Sequence, residues 1–156
     1  KSYSEVFGIS SVVLRFSNAY GPYSFHKKSI ISTFTKNILD KKKLIVNGSL
    51  DITRDYIYVD DICDSIYRSI YQSKKYTELH VGTGKETSIR SLLDIFKDIC
   101  HQKNIEFPKV SVEKRRIGDM KNNYTAINKI KKELKWTPKV SLFDGISRTI
   151  SEFQKK

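Results

Sequence analysis

Two spacings of apolar residues alternate along this chain, and together they predict an α/β fold. Ser11–Phe16 is a short β-rich run that ends in the turn-forming cluster Asn18-Ala19-Tyr20-Gly21-Pro22. From Ser29 to Leu39 the apolar positions Ile30, Ile31, Phe34, Ile38 and Leu39 fall at helical spacing, with Ser29 placed as N-cap. Leu44-Ile45-Val46 reads as a strand closed by an Asn47-Gly48 turn, and Tyr56–Val59 as another. A helix is expected from about Asp60, with Ile62, Cys63, Ile66 and Ile70 on one face and Asp60 and Asp61 in its first turn, where the helix dipole favours acids. Leu79-His80-Val81 is a strand stopped by Gly82-Thr83-Gly84. The strongest helical pattern follows: Ile89, Leu92, Leu93, Phe96, Ile99 and Cys100, capped by Ser88. Val110–Val112 reads as a strand, and Ile127, Ile130 and Leu134 mark a short helix. Thr137-Pro138 breaks the chain before a last helix carrying Leu142, Phe143, Ile146, Ile150 and Phe153.

Lys1–Phe7 has the pattern of the end of an amphipathic helix feeding the first strand. A buried strand in an α/β sheet needs neighbours on both sides, and these strands are too few for a complete doubly wound sheet. The expectation is a chain lacking the first part of its domain.

Composition changes this picture little. The 156 residues suffice for a real core, with 38% hydrophobic and 29% charged content. No apolar run approaches membrane-spanning length, and no leader pattern opens the chain, so neither a membrane nor a secretory role is expected. Cys63 and Cys100, far apart in helical patterns, read as buried apolar residues in a reducing, cytoplasmic setting. The net charge of +12 suits nucleic acid or a small polyanion alike. Its arrangement in short groups such as Lys41-Lys42-Lys43 and Lys131-Lys132, with no basic arm interleaved with aromatics, argues against nucleic acid and for a lysine-rich solvated surface.

Three stretches carry candidate chemistry. The first is the strand Leu14–Phe16 running into Asn18 and the Gly21-Pro22 turn. Ligands of α/β folds bind at the carboxyl ends of strands, and an asparagine there offers donor and acceptor together. It could equally bond its own backbone in an ordinary turn. The second is Arg54, leading a strand in which Tyr56 and Tyr58 share a face. An arginine fork can grip phosphate oxygens, or pair with Asp55 or Asp51 on the surface. The third is Lys114-Arg115-Arg116-Ile117-Gly118-Asp119, a second cationic jaw or a solvated loop. His26, His80 and His101 lack metal-ligand spacing, and no Gly-x-Ser-x-Gly elbow occurs. Asp60 and Asp61 are adjacent at a helix start and point apart, so capping accounts for them better than paired catalysis.

In order and spacing these stretches resemble the extended short-chain dehydrogenase/reductase family, in particular its NAD-dependent nucleotide-sugar epimerases and dehydratases. Arg15–Pro22, Arg54–Asp61 and Val81–Gly84 with Ser88-Ile89 are similar to successive family segments. Arg116-Ile117-Gly118-Asp119 resembles an Arg-Pro-Gly-Asp turn with isoleucine for proline, and Leu134-Lys135-Trp136-Thr137-Pro138 a Leu-Gly-Trp-x-Pro segment with lysine for glycine. The resemblance covers nearly the whole chain.

It implies the C-terminal portion of an NAD(P)-binding Rossmann-type protein, mixing the last Rossmann elements with a small substrate-binding domain. The implied division is 1–22 Rossmann tail, 23–54 substrate-binding segment, 55–77 a return to the Rossmann domain, and 78–156 substrate-binding domain. By the same resemblance Asn18, Ser29, Arg54, Tyr56 and Arg116 would bind a nucleotide-diphosphate sugar, and Ala19 and Tyr20 would pass near the nicotinamide of NAD. The Gly-rich loop and the Tyr-x-x-x-Lys pair of the family have no counterpart here. Lys1 has no tyrosine four residues before it and is rejected as catalytic. NAD would therefore be held mainly by an N-terminal half expected upstream of Lys1, and this chain alone is expected to be inactive. The implied reaction is a 4-epimerisation of a UDP-glucose or UDP-N-acetylglucosamine type substrate, with 4,6-dehydration or decarboxylation as alternatives. A non-catalytic basic module for anionic polymers is the alternative of another class. Homodimerisation or self-association through open sheet edges is also expected.

Overall fold

The computed structural model describes residues 1–72, 75–114 and 122–155. In chain order the elements are α1 (Ser2–Phe7), β1 (Ser11–Phe16), β2 (Asn18–Tyr20), a 3-10 turn (Pro22–Ser24), α2 (Ile30–Leu39), β3 (Leu44–Asn47), β4 (Thr53–Arg54), β5 (Tyr56–Tyr58), α3 (Val59–Ser69), β6 (Tyr76–Val81), β7 (Thr87–Ser88), α4 (Ile89–Gln102), β8 (Val110–Glu113), α5 (Asn128–Leu134) and α6 (Leu142–Phe153). The mixed α/β class is as expected.

Among the described residues the strands pair two by two. β1 runs parallel to β6, β2 to β5 and β3 to β8, and β4 is antiparallel to β7. Asn18-Ala19-Tyr20, expected as a turn, is a strand in register with Tyr56-Ile57-Tyr58. The backbone passes from one neighbour to the next at Ser17, whose N–H donates to Val81, while that of Asn18 donates to Asp55.

β5 divides the core. Tyr56 and Tyr58 face a cluster built from α2, α4, α6 and β3, with Phe34, Phe96, Ile146 and Ile150 at its centre. Ile57 faces the other cluster, made of Leu79, Val81, Ile130, Leu134 and Trp136. The period-two reading of this strand is therefore correct on both faces. Ser88 caps α4 as expected, accepting the N–H of Ser91 at 3.0 Å. Ser29 stands at the N-cap of α2, but its hydroxyl bonds the Ser32 hydroxyl at 2.9 Å instead of a backbone N–H.

Helix α3 corrects the reading of Cys63 and of Asp61. Cys63, read as buried, is exposed, as are Ile66 and Ile70 of the same apolar face, while Ile62 is buried; Cys100 is buried as expected. The buried side of α3 carries Asp61, Ile62 and Ser65. Apolar spacing alone could not identify this side, because a carboxylate holds it in place. Asp61 accepts the N–H groups of Lys139 and Val140 at 2.9 and 3.1 Å, and its carbonyl accepts the Trp136 indole N–H at 3.1 Å. Asp61 is thus a tertiary staple and not a helix cap, while Asp60 stays exposed, 3.9 Å from Arg148.

Lys135 ends α5 at φ 50°, in the left-handed region. A side chain there costs about 1 kcal/mol relative to glycine. Lys135→Gly is therefore expected to raise unfolding stability by about 0.5–1 kcal/mol. A urea denaturation midpoint at or below that of the wild type would refute the backbone argument.

Candidate functional site

The Asn18, Arg54 and Tyr56 side chains are far apart in sequence and meet because β2 and β5 are neighbours and β4 leads into β5. They border an open cleft of about 300 Å³, at the low end of the range for small-molecule sites. Ala19, Tyr20 and Ser29 line it as well. Six of the seven site residues expected from sequence therefore share one cleft. The seventh, Arg116, lies outside the described residues, with the rest of the Arg115–Asp119 stretch.

Each wall has its own chemistry. On the polar side, Asn18 does not bond its own backbone: its amide donates across to the Asp55 carbonyl at 2.9 Å. Arg54 donates to the carbonyl of Thr53 at 2.7 Å. The two acids weighed as its surface partners have other engagements. Asp51 pairs with Arg90 at 3.3 Å, and the Asp55 carboxylate accepts from Thr83, Gly84 and Thr125. Tyr56 is 5% exposed, and its hydroxyl has no hydrogen-bond partner among the described residues. A buried hydroxyl in that condition costs on the order of 1–3 kcal/mol, which a polar ligand in the cleft would relieve.

Burial pushes the Tyr56 phenol up to about 12, against the opposing pull of Arg54. The hydroxyl therefore remains a donor throughout the neutral range. Because the folded value lies above the ordinary value of 10, its contribution to stability is whole below pH 10 and is lost as pH rises through about 12. Between pH 10 and 12 the unfolding free energy of the wild type is expected to fall more steeply than that of Tyr56→Phe. Parallel curves in a pH series of urea melts would contradict this. Burial also raises Tyr20, whose ring packs edge-on against Tyr58 at 5.5 Å.

The rest of the lining was missed in the sequence. Ile45 and Asn47 of β3, Thr33 of α2 and Ile89 of α4 complete the cleft, with Lys28 beside Ser29. Ile45 reads only as strand and Asn47 only as the turn that closes it, and nothing local separates Lys28 from the other surface lysines. What recruits β3 is its parallel pairing with β8, a contact 66 residues away at Leu44–Val110.

The family model described as GDP-mannose 4,6 dehydratase matches residues 1–149. The chain belongs to this nucleotide-sugar epimerase/dehydratase family. It is 28% identical over 155 residues to the UDP-glucuronate 4-epimerase of Thermodesulfobacterium geofontis, covering 96% of the chain and 45% of the relative. It is 25% identical to the dTDP-glucose 4,6-dehydratase of Escherichia coli, covering 96% and 42%. A crystal structure of the UDP-glucose 4-epimerase from Thermotoga maritima with UDP-glucose superimposes with a TM-score of 0.87 at 28% identity, covering 99% of this chain and 49% of that one. The chain spans about half the length of the curated relatives it matches, and its mixed α/β fold corresponds to their C-terminal half. Among the described residues no helix is long and apolar enough to cross a membrane.

Proposed function

We propose that this chain is the nucleotide-sugar-binding part of an NAD-dependent 4-epimerase acting on a UDP-glucose or UDP-N-acetylglucosamine type substrate. The observation that carries the reading is the convergence on one cleft of Arg54, Asn18 and the Tyr56 hydroxyl, which has no hydrogen-bond partner among the described residues. Arg54, with Arg116 as a second cation, binds the diphosphate by charge-assisted hydrogen bonds. Asn18 bonds the diphosphate or sugar, and Tyr56 and Ser29 face the nucleotide. The apolar wall at Ile45 and Ile89 gives the base a surface that excludes water.

This chain contributes little to holding NAD. Ala19 and Tyr20 also border a small apolar recess with Tyr23 and Val59, a surface suited to the edge of the nicotinamide ring. Bound NAD supplies transient oxidation at the sugar C4 hydroxyl, and the catalytic tyrosine and lysine belong to an N-terminal half. Tyr3, Val6, Phe7 and Ile9, together with Val13 and Phe16 of β1, expose an apolar surface that such a half would cover. In its absence the same surface favours self-association. We place the domain boundaries after residues 22, 54 and 77, and the protein in the cytoplasm.

Sugar-nucleotide 4,6-dehydration is the second reading, supported by the family model and by the dehydratases among the relatives.

Titration of UDP into the 15N-labelled chain tests the proposal. Weak, saturable binding that moves the Asn18, Arg54 and Tyr56 signals is expected, with no turnover of UDP-glucose. Shifts confined to other surfaces, or epimerisation by the chain alone, would overturn it.

A further inference from the structure

Asp55 lies between Arg54 and Tyr56, and its side chain faces away from the cleft that they line. It is fully buried. A carboxylate taken out of water needs compensation, and here it comes from dipoles. Oδ1 accepts the Thr83 N–H at 2.9 Å and the Thr83 hydroxyl at 2.6 Å. Oδ2 accepts the N–H groups of Gly84 at 3.1 Å and Thr125 at 3.2 Å. The successive N–H groups of Thr83 and Gly84 form a small anion-holding concavity, and Asp55 fills it from within the chain. Gly82 leaves the space: a Cβ there would stand 2.6 Å from Oδ2 and 2.6 Å from the Thr125 Cβ. The Asp55 backbone carbonyl accepts both the backbone N–H of Asn18 at 3.0 Å and the Asn18 side-chain amide at 2.9 Å.

One residue therefore joins four segments: the start of β2, the β4–β5 junction, the turn after β6 and the segment at Thr125. We infer that Asp55 is the positioning residue of the cleft, locking the backbone from which Arg54 and Tyr56 project and orienting the Asn18 amide through its carbonyl. Asp55 acts through these neighbours. The inference rests on the nucleotide-diphosphate reading of the cleft, but its spatial part can be tested without ligand.

Asp55→Asn replaces one acceptor oxygen with a donor that faces other donors. Asp61 provides a matched control, since its buried carboxylate also accepts two backbone N–H groups, from Lys139 and Val140. Both variants of the full 156-residue chain would be compared by thermal melts, by the Asn18 side-chain NH2 signals and by titration with UDP. The expected result is a lowered Tm for both. Only Asp55→Asn displaces the Asn18 amide pair without ligand and weakens UDP binding tenfold or more. Should Asp55→Asn fail to fold, Thr83→Val removes one donor to the same carboxylate and is expected to shift the Asn18 pair in the same direction by less. Unmoved Asn18 signals in every Asp55 or Thr83 variant that folds would overturn the inference. So would an equal displacement in Asp61→Asn. A wild-type chain that binds no UDP would refute the functional reading, while the Asn18 measurement would still decide the role of Asp55.

Discussion

Replacing Trp136 with alanine is expected to remove about 3–5 kcal/mol of stability, on the scale of other buried aromatic truncations. The side chain is fully buried among Ile57, Leu79, Ile130 and Leu134, and its indole N–H donates to the Asp61 carbonyl. Alanine leaves a cavity in the smaller of the two core clusters and deprives that carbonyl of its donor. It also loosens the segment that reaches the Asp61 carboxylate through Lys139 and Val140. A domain of this size has only about 5–15 kcal/mol of net stability. Trp136→Ala should therefore lower Tm by about 10 °C or more in a calorimetric scan. A shift of a degree or two would mean that this cluster does not carry the fold. Trp136→Phe keeps most of the volume but loses the N–H, and is expected to fall between the two.

Arg54→Ala should give the largest effect on ligand binding. A charge-assisted hydrogen bond to a phosphate contributes on the order of 1.5–3 kcal/mol, so UDP affinity is expected to fall by about 10- to 100-fold. Arg54→Lys keeps the charge but loses the planar fork, and should recover only part of the loss. Titration calorimetry of wild type and both variants checks this. Uridine, which lacks phosphate, should bind all three proteins with similar affinity. If Arg54→Ala weakened uridine and UDP equally, the arginine would be shaping the cleft and not gripping the diphosphate.

The helices with strong one-sided patterns are legible in the sequence, as α4 and its Ser88 cap illustrate. So is β5, whose alternation places Tyr56 and Ile57 in different clusters. Most of the cleft-lining residues that the sequence pointed to stand in motifs. Lys28 and Thr33, which it missed, belong to no motif, and Asn47 reads only as part of a turn. The α3 face failed for a related reason. Periodicity ranks residues by hydropathy and groups Ile62, Cys63, Ile66 and Ile70 on one face, whereas the buried side is fixed by hydrogen bonds from Lys139, Val140 and Trp136 to Asp61.

By itself the sequence determined the α/β class, most element positions, and the three stretches whose order points to a nucleotide-sugar enzyme. Those properties are local, or carried by spacing along the chain. Tertiary structure decided which strands are neighbours, which residues complete the cleft around Arg54, and that two acids, Asp55 and Asp61, are buried anchors for distant backbone. Such roles depend on donors 28 to 79 residues away, and no one-dimensional pattern encodes which N–H group a carboxylate will meet.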